Sequence, residues 1–444
     1  MITLQSSSIL TKRCKGISEK LVDSSFALNV GRVTRVTGLL IESTGPNVSF
    51  GDQVYIHDDH KNERHIAEVV GFDGERIMLT PVDHLSSIRP GARVTPCNEG
   101  FRVKVSHSLL GRVIDGMGRP LDGKGPITGI DWPVIRQAPD PFSRPRINEK
   151  FFTGVNAIDS CITCGKGQRV GIFAGSGVGK STLLGMISRN CLAQVNVIAL
   201  IGERGKEVMD FIEESLGEDG LANSIVVCVT SDQTALHRVR GADTAMAIAE
   251  YFRDQGDDVL FVMDSVTRYA MAQREIGLSA GEPPTTKGYP PSVFSMLPKL
   301  LERPGRSSKG SITAFITVLV EGDDMNDIIS DTVRSIIDGH IVLSRKIASK
   351  GRYPSIDVLE SVSRVIKDVT DDEHLKANIG MRRLMSTYRD AEDMINIGAY
   401  VKGSNSDIDR AIQQNPSIES FLSQGVFEKT PWEELYANLL EVSY

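Results

Sequence analysis

The rhythm of apolar positions along this 444-residue chain changes three times. From about Val30 to Val105, short runs ("RVTRVTGLLIE", "DQVYIHD", "HIAEVVGF", "RIMLTP", "ARVTP") recur between Gly, Asp and Asn. Brief strands parted by turn residues predict a small closed or sandwiched β domain. "IRQAPDPFSRPRI", Ile135 to Ile147, then places three prolines in a row of polar residues. Proline removes backbone donors and holds the preceding residue extended, so this reads as a connector. Next come "QRVGIFA", "VNVIALIG", "SIVVCVT", "DVLFVMD", "SITAFITVLV" and "GHIVLSR", alternating with helical stretches. Continuous β-branched runs suit strands covered on both faces and predict an α/β fold with a mostly parallel sheet. Past about Arg364 the spacing turns helical, with Leu384, Tyr388, Ala391 and Ile395 three to four apart. "TPWE" at Thr430 to Glu433 predicts a last helix with Thr430 as its cap and Pro431 as its first residue.

Charge narrows the function classes. Fifty basic and fifty-seven acidic residues leave a net charge of -7, which argues against a protein that coats nucleic acid. No apolar run approaches the ~18 residues of a membrane span, and the first twenty residues lack the apolar stretch of a secretory signal, so a cytosolic protein is expected. Of the six cysteines, only Cys161 and Cys164 stand close, in "CITC". A C-x-x-C can be a redox dithiol or half a zinc site; with no second Cys or His pair at a matching spacing, packing is the expected role and free thiols the expected state. "HDDH", His57 to His60, reads as a solvated loop between strands.

The chemistry concentrates in "GIFAGSGVGKSTLL", residues 171 to 184. In a phosphate-binding loop, backbone N–H groups of a glycine-rich turn and of the following helix face the phosphates, a lysine supplies a point charge and a hydroxyl binds magnesium. Gly175, Ser176, Gly177, Val178, Gly179, Lys180, Ser181 and Thr182 fill these places, with Ala174 where the pattern usually opens on glycine. Lys180 would touch the phosphates and Ser181 the metal. "DVLFVMD" closes on Asp264, the position from which a strand-end carboxylate holds magnesium. "IALIGERGKEV" runs an apolar strand into Glu203 and Arg204, which puts a second carboxylate at the same sheet edge, suited to polarising water.

With these motifs the chain resembles the catalytic subunits of the rotary ATPases, in the branch that drives protein export by flagella and virulence injectisomes. "MDSVTRYAMAQREIGLSAGEPPTTKGYPPSVF", "SITAFITVLVEGDDMND" and "DGHIVLSR" carry the likeness. The resemblance implies a RecA-like core (106–365), an N-terminal β-barrel (30–105), a helical C-terminal domain (366–444) and an N-terminal segment (1–29) that either binds a stator-like regulator or is an unanchored terminus. It implies ATP and Mg2+ as ligands, Glu203 as general base, Arg204 beside the γ-phosphate, Asp264 on the metal and Arg268 as a structural or catalytic partner. Tyr353 in "GRYPSID" would stack on adenine, and Arg364 in "ESVSRV" would reach into a neighbouring subunit's site.

The same resemblance implies a homo-hexamer with a central stalk, working at the cytoplasmic face of the inner membrane with an export gate and chaperone–substrate complexes. "GEPPTTKGYPP" and "EGDDMND" would face the pore, and Ile328 stands where relatives carry proline. "FAGSGVGKS" and "RVTRVTGLLIE" favour the flagellar side over the injectisome side. An ATP synthase subunit is disfavoured because "AYVKGSNSDIDR" replaces that family's acidic stretch. A Rho-like RNA translocase is disfavoured because residues 30 to 105 lack clustered stacking aromatics.

Overall fold

The computed structural model describes residues 29–58, 61–84, 88–97, 100–320, 322, 324–325 and 327–443. The expected regulator-binding segment therefore lies, apart from Asn29, outside the described residues, as do parts of "HDDH" and "EGDDMND". The chain divides into two compact units after Gly100.

The first unit is a closed antiparallel barrel of β1 (Gly31–Thr37), β2 (Leu40–Ser43), β3 (Gln53–Asp58), β4 (Glu63–Asp73), β5 (Arg76–Pro81) and β6 (Arg93–Pro96), in the order β1-β2-β5-β4-β3-β6. Alternate residues point inward, so Val33, Ile41, Val54, Ile56, Val69, Leu79 and Val94 form its core. "HDDH" departs from expectation. His57 and Asp58 belong to β3, paired with Arg64 and Glu63 of β4, because the ladder continues through them. His57 Nε2 lies 2.8 Å from Thr95 Oγ1, and Asp58 is buried.

The second unit opens with β7 (Arg102–Val105), β8 (Arg112–Ile114) and β9 (Ile130–Pro133), continues through β10 (Lys150–Phe151) and β11 (Cys164–Gly165), and then builds β12 (Arg169–Ala174), β13 (Val195–Glu203), β14 (Ser224–Thr230), β15 (Asp258–Asp264), β16 (Gly305–Arg306), β17 (Ser311–Leu319), β18 (Gly339–Leu343) and β19 (Ile356–Ser363). The large sheet has the order β19-β18-β12-β17-β15-β13-β14-β8, with β16 pairing β17. Its neighbours from β18 to β8 run parallel; β19 closes one edge antiparallel. All nine residues of β13 are buried, as a strand covered on both faces requires.

Three helices end the chain: Asp372–Asn396, Ser406–Leu422 and Trp432–Ser443. They share one apolar core with the sheet: Met381, Leu384, Ile418, Leu422, Leu435 and Leu439 belong to the cluster that holds Ile172, Ile198, Leu260 and Phe315. The last helix starts one residue later than "TPWE" predicts, and Pro431 O accepts its first hydrogen bond, from Leu435 N at 2.9 Å. Cys161 and Cys164 are buried free thiols; burial pushes Cys161 up to about 11 and Cys164 higher still, so neither is a thiolate at neutral pH. Among the described residues, no helix is long and apolar enough to cross a membrane.

Candidate active site

Parallel strands deliver their carboxyl ends to one edge, and three of them carry the predicted residues there. β12 ends at Ala174 and the chain turns through Gly175 to Gly179 into the helix Lys180–Asn190. Gly177 and Gly179 take left-handed φ of 77° and 88°, conformations that residues with a Cβ adopt at a cost. Ser176, Ser181 and Thr182 are exposed, Gly175 and Val178 buried. Val178 O accepts a hydrogen bond from Ser355 Oγ at 2.6 Å, which ties the loop to the segment carrying Tyr353.

Lys180 reaches back over the sheet. Its Nζ lies 2.5 Å from Asp264 Oδ1, at the end of β15, and 3.6 Å from Glu203 Oε1, at the end of β13. β17 lies between β12 and β15, and from it Thr317 Oγ1 donates to Asp264 Oδ1 at 2.8 Å. Burial works to lower the pKa of Lys180, but Asp264 and Glu203 more than offset it, so the net shift is upward and the ammonium is secured. Glu203 is pushed up to about 7, first by burial and then by the charge of Asp264, against the pull of Lys180. Its Oε1 is buried without a hydrogen-bond partner, as is Arg268 Nε.

Arg268 stands in the helix Val266–Ser279, whose Ser265 hydroxyl caps it by accepting from Arg268 N at 3.3 Å. Gly202, at φ 74°, lets this helix approach: a Cβ there would lie 3.0 Å from Arg268 Cβ. The remaining predicted residues lie around this cluster. Arg204 is exposed, 3.6 Å from Glu207. Tyr353 is 47% exposed, and its ring is 3.5 Å from where a Gly179 Cβ would be. Arg364 follows β19 on the surface and donates to Arg334 O at 3.3 Å; no hydrogen bond or ion pair joins it to Lys180, Glu203 or Asp264 within the chain.

These groups fit a magnesium-bound nucleoside triphosphate. Two carboxylates share one ammonium, so the trio carries surplus negative charge, and one buried carboxylate oxygen lacks a donor. Among the described residues no cluster of three or more His, Cys, Asp or Glu would hold a metal unaided. The donors that lie here, the Asp264 carboxylate and the Ser181 hydroxyl, suit an ion that keeps waters and binds through one or two protein ligands plus phosphate oxygens. Sequence reasoning missed Thr317 and Ser355. A polar residue interrupting the apolar run "SITAFITVLV" was the signal for the first; the second carried none.

Comparison with known proteins adds the lineage. The family described as "ATP synthase alpha/beta family, nucleotide-binding domain" matches residues 154–363, and the "T3SS EscN ATPase C-terminal domain" matches 370–441. The chain is 56% identical to the flagellum-specific ATP synthase of Bacillus subtilis (strain 168), over 93% of its own length and 95% of the relative's. Against the type 3 secretion system ATPase of Xanthomonas euvesicatoria it is 47% identical, over 96% of both. The assembled ATPase EscN of enteropathogenic E. coli superposes with a TM-score of 0.89 at 44% identity, covering 93% of this chain and all of EscN. EscN in complex with its central stalk EscO gives 0.86 at 43%, with the same coverage. On identities near one half along almost its whole length, this chain belongs to the ATP synthase alpha/beta family, in the branch of the flagellar and type III secretion ATPases, and it is an ATP-binding hydrolase.

Proposed function

We propose that this chain is the Mg2+-dependent ATPase of flagellar protein export, acting as a homo-hexameric ring. The observation that carries the chemistry is the convergence of Asp264 and Glu203 on Lys180, with one Glu203 oxygen left without a donor. The N–H groups of residues 175 to 182 would cradle the phosphates, with Lys180 on their outer oxygens. Ser181 and Asp264 would hold the magnesium ion, which when bound neutralises charge on the phosphates. Glu203 accepts a proton from the attacking water as its oxygen bonds to the γ-phosphorus. The bond from that phosphorus to the bridging oxygen breaks, and ADP leaves. Carboxylate pKa values near neutrality suit a group that takes and then releases a proton in each turnover.

Arg204 and Arg268 would steady the γ-phosphate and Glu203, and Tyr353 would stack on adenine. Arg364, on the surface of its own chain, suits a role in the next subunit's site, where a guanidinium is worth about 10³-fold or more in rate. EscN's assembled form and its complex with a stalk support a ring with an axial partner. The flagellum-specific relative at 56% identity supports the flagellar side of this reading; within it, the ring would release flagellar subunits from chaperones at the cytoplasmic face of the inner membrane. Specific ATPase activity, followed against protein concentration with magnesium and sized in parallel, tests the ring. A steep rise as hexamer forms is expected; full activity in a species sized as a monomer would refute shared sites.

A further inference from the structure

The segment that carries Tyr353 is held by a residue from the C-terminal helical region. Gln424 follows the helix Ser406–Leu422 and is only 5% exposed. Its backbone N–H donates to Tyr353 O at 2.9 Å. Its side chain satisfies three further groups: Oε1 accepts from Asn156 N at 2.9 Å, and Nε2 donates to Gly154 O at 2.9 Å and to Glu428 O at 3.0 Å. The loop it begins is tied again to the helix that starts at Lys180, because Arg189 near that helix's end donates to Val426 O at 2.7 Å and lies over the Phe427 ring. Tyr353 thus stands between two anchors, Ser355 on the phosphate loop and Gln424 on the C-terminal region.

We propose that Gln424 is a positioning residue for base recognition: it holds Tyr353 at the height above the phosphate loop where a purine fits against the ring. The proposal rests on the reading that Tyr353 stacks on the base. Every hydrogen-bonding group of the Gln424 amide that the fold can use is spent on backbone atoms, so its side chain is a three-way tie and Tyr353 is the exposed part it steadies. Loosening the tie should weaken base-dependent binding and leave the triphosphate subsite intact.

The test is steady-state ATPase of the full-length chain with Gln424→Met, which keeps the volume and the backbone bond to Tyr353 but removes the three side-chain ties that fix residue 424, in the native and the Tyr353→Ala backgrounds. KM for ATP is expected to rise roughly three- to tenfold, the value of one or two hydrogen bonds, with kcat retained. Inhibition by inorganic tripolyphosphate, which has no base, should stay unchanged, and in the Tyr353→Ala background the added effect should vanish. Equal KM increases in both backgrounds, or weaker tripolyphosphate inhibition, would overturn the proposal. If Tyr353→Ala raises KM while Gln424→Met does not, the stacking reading stands and this one falls; if Tyr353→Ala changes nothing, both fall. Asn156→Pro gives an independent check should Gln424→Met fold poorly. It deletes one tie at the first residue of the helix Asn156–Cys161, where proline is tolerated and Val155 is already extended. A smaller KM rise in the same direction is expected, and no rise counts against the tie.

Discussion

Two clusters of charge in the second unit each set an aspartate and a glutamate around one largely buried basic side chain, and they end in opposite states. Beside the helix Ala235–Gln255, Arg303 grips Glu250 with two hydrogen bonds of 3.0 and 2.9 Å, lies 3.7 Å from Asp243, and donates to Val134 O at 3.0 Å. Arg253 in turn donates to Arg303 O. At the phosphate loop, Lys180 is shared between two carboxylates, yet Glu203 Oε1, 3.6 Å from that ammonium, and Arg268 Nε are buried with no hydrogen-bond partner. A closed network rigidifies; a network with open valences is waiting for a ligand that completes it. Burial with charge is common to both; what separates them is unspent hydrogen-bonding capacity, which beside a phosphate-binding loop is open to a ligand.

That contrast can be broken experimentally. The largest expected effect comes from outside the open cluster: Arg364→Ala should cut turnover by about 10³-fold or more. Mixing it with Glu203→Gln should restore activity, since some interfaces then carry both groups; no recovery in co-assembled rings would end the in-trans assignment. Glu203→Gln alone should reduce kcat on the order of 10²- to 10³-fold while nucleotide binding, read by equilibrium titration, persists, because the amide fills the same space and takes no proton. In the closed cluster the loss should appear in stability instead. Glu250→Gln leaves the Arg303 guanidinium buried and underpaired, and chemical denaturation should show a loss of about 3–5 kcal/mol.

The smallest effect sharpens the comparison through pH. Asp122 receives Arg112 Nε at 2.6 Å and Nη2 at 2.9 Å, and that pairing, opposed by burial and helped by backbone donors, holds its carboxyl well below the usual range. A depressed carboxylate pKa stabilises the fold above the unfolded-state value and loses that contribution as pH falls through the folded-state value. Asp122→Asn should therefore cost about 1.5–3 kcal/mol at neutral pH, and the gap to the parent should narrow on acidification. A gap constant with pH would mean that packing, not charge, dominates there.

Much of this was legible in the chain because the informative signals were local. Each β-branched run became a central strand, and the glycine-rich turn lies where strand meets helix, since burial on both faces and left-handed φ restrict residue choice within a few positions. Local signals failed where the fold depends on distant partners. β8 is three residues long and exists because Ile225 to Val227 pair with it. Arg303 finds Glu250 across 53 residues, and Gln424 finds Gly154 across 270. His57 and Asp58 read as a loop because polar residues end most strands, but here the barrel ladder continued through them.

The shared core has a consequence for how the second unit comes apart. Leu435, Leu439 and Val442, in the helix Trp432–Ser443, belong to the same apolar cluster as Ile172, Ile198 and Leu260 of the parallel sheet. Elements that draw on one core lose their packing together, so the helical region is not a module that melts by itself while the phosphate loop stays folded. Damage to the helices is therefore felt at the strand ends that hold Lys180, Glu203 and Asp264, and denaturant should remove nucleotide binding and helical signal in a single transition.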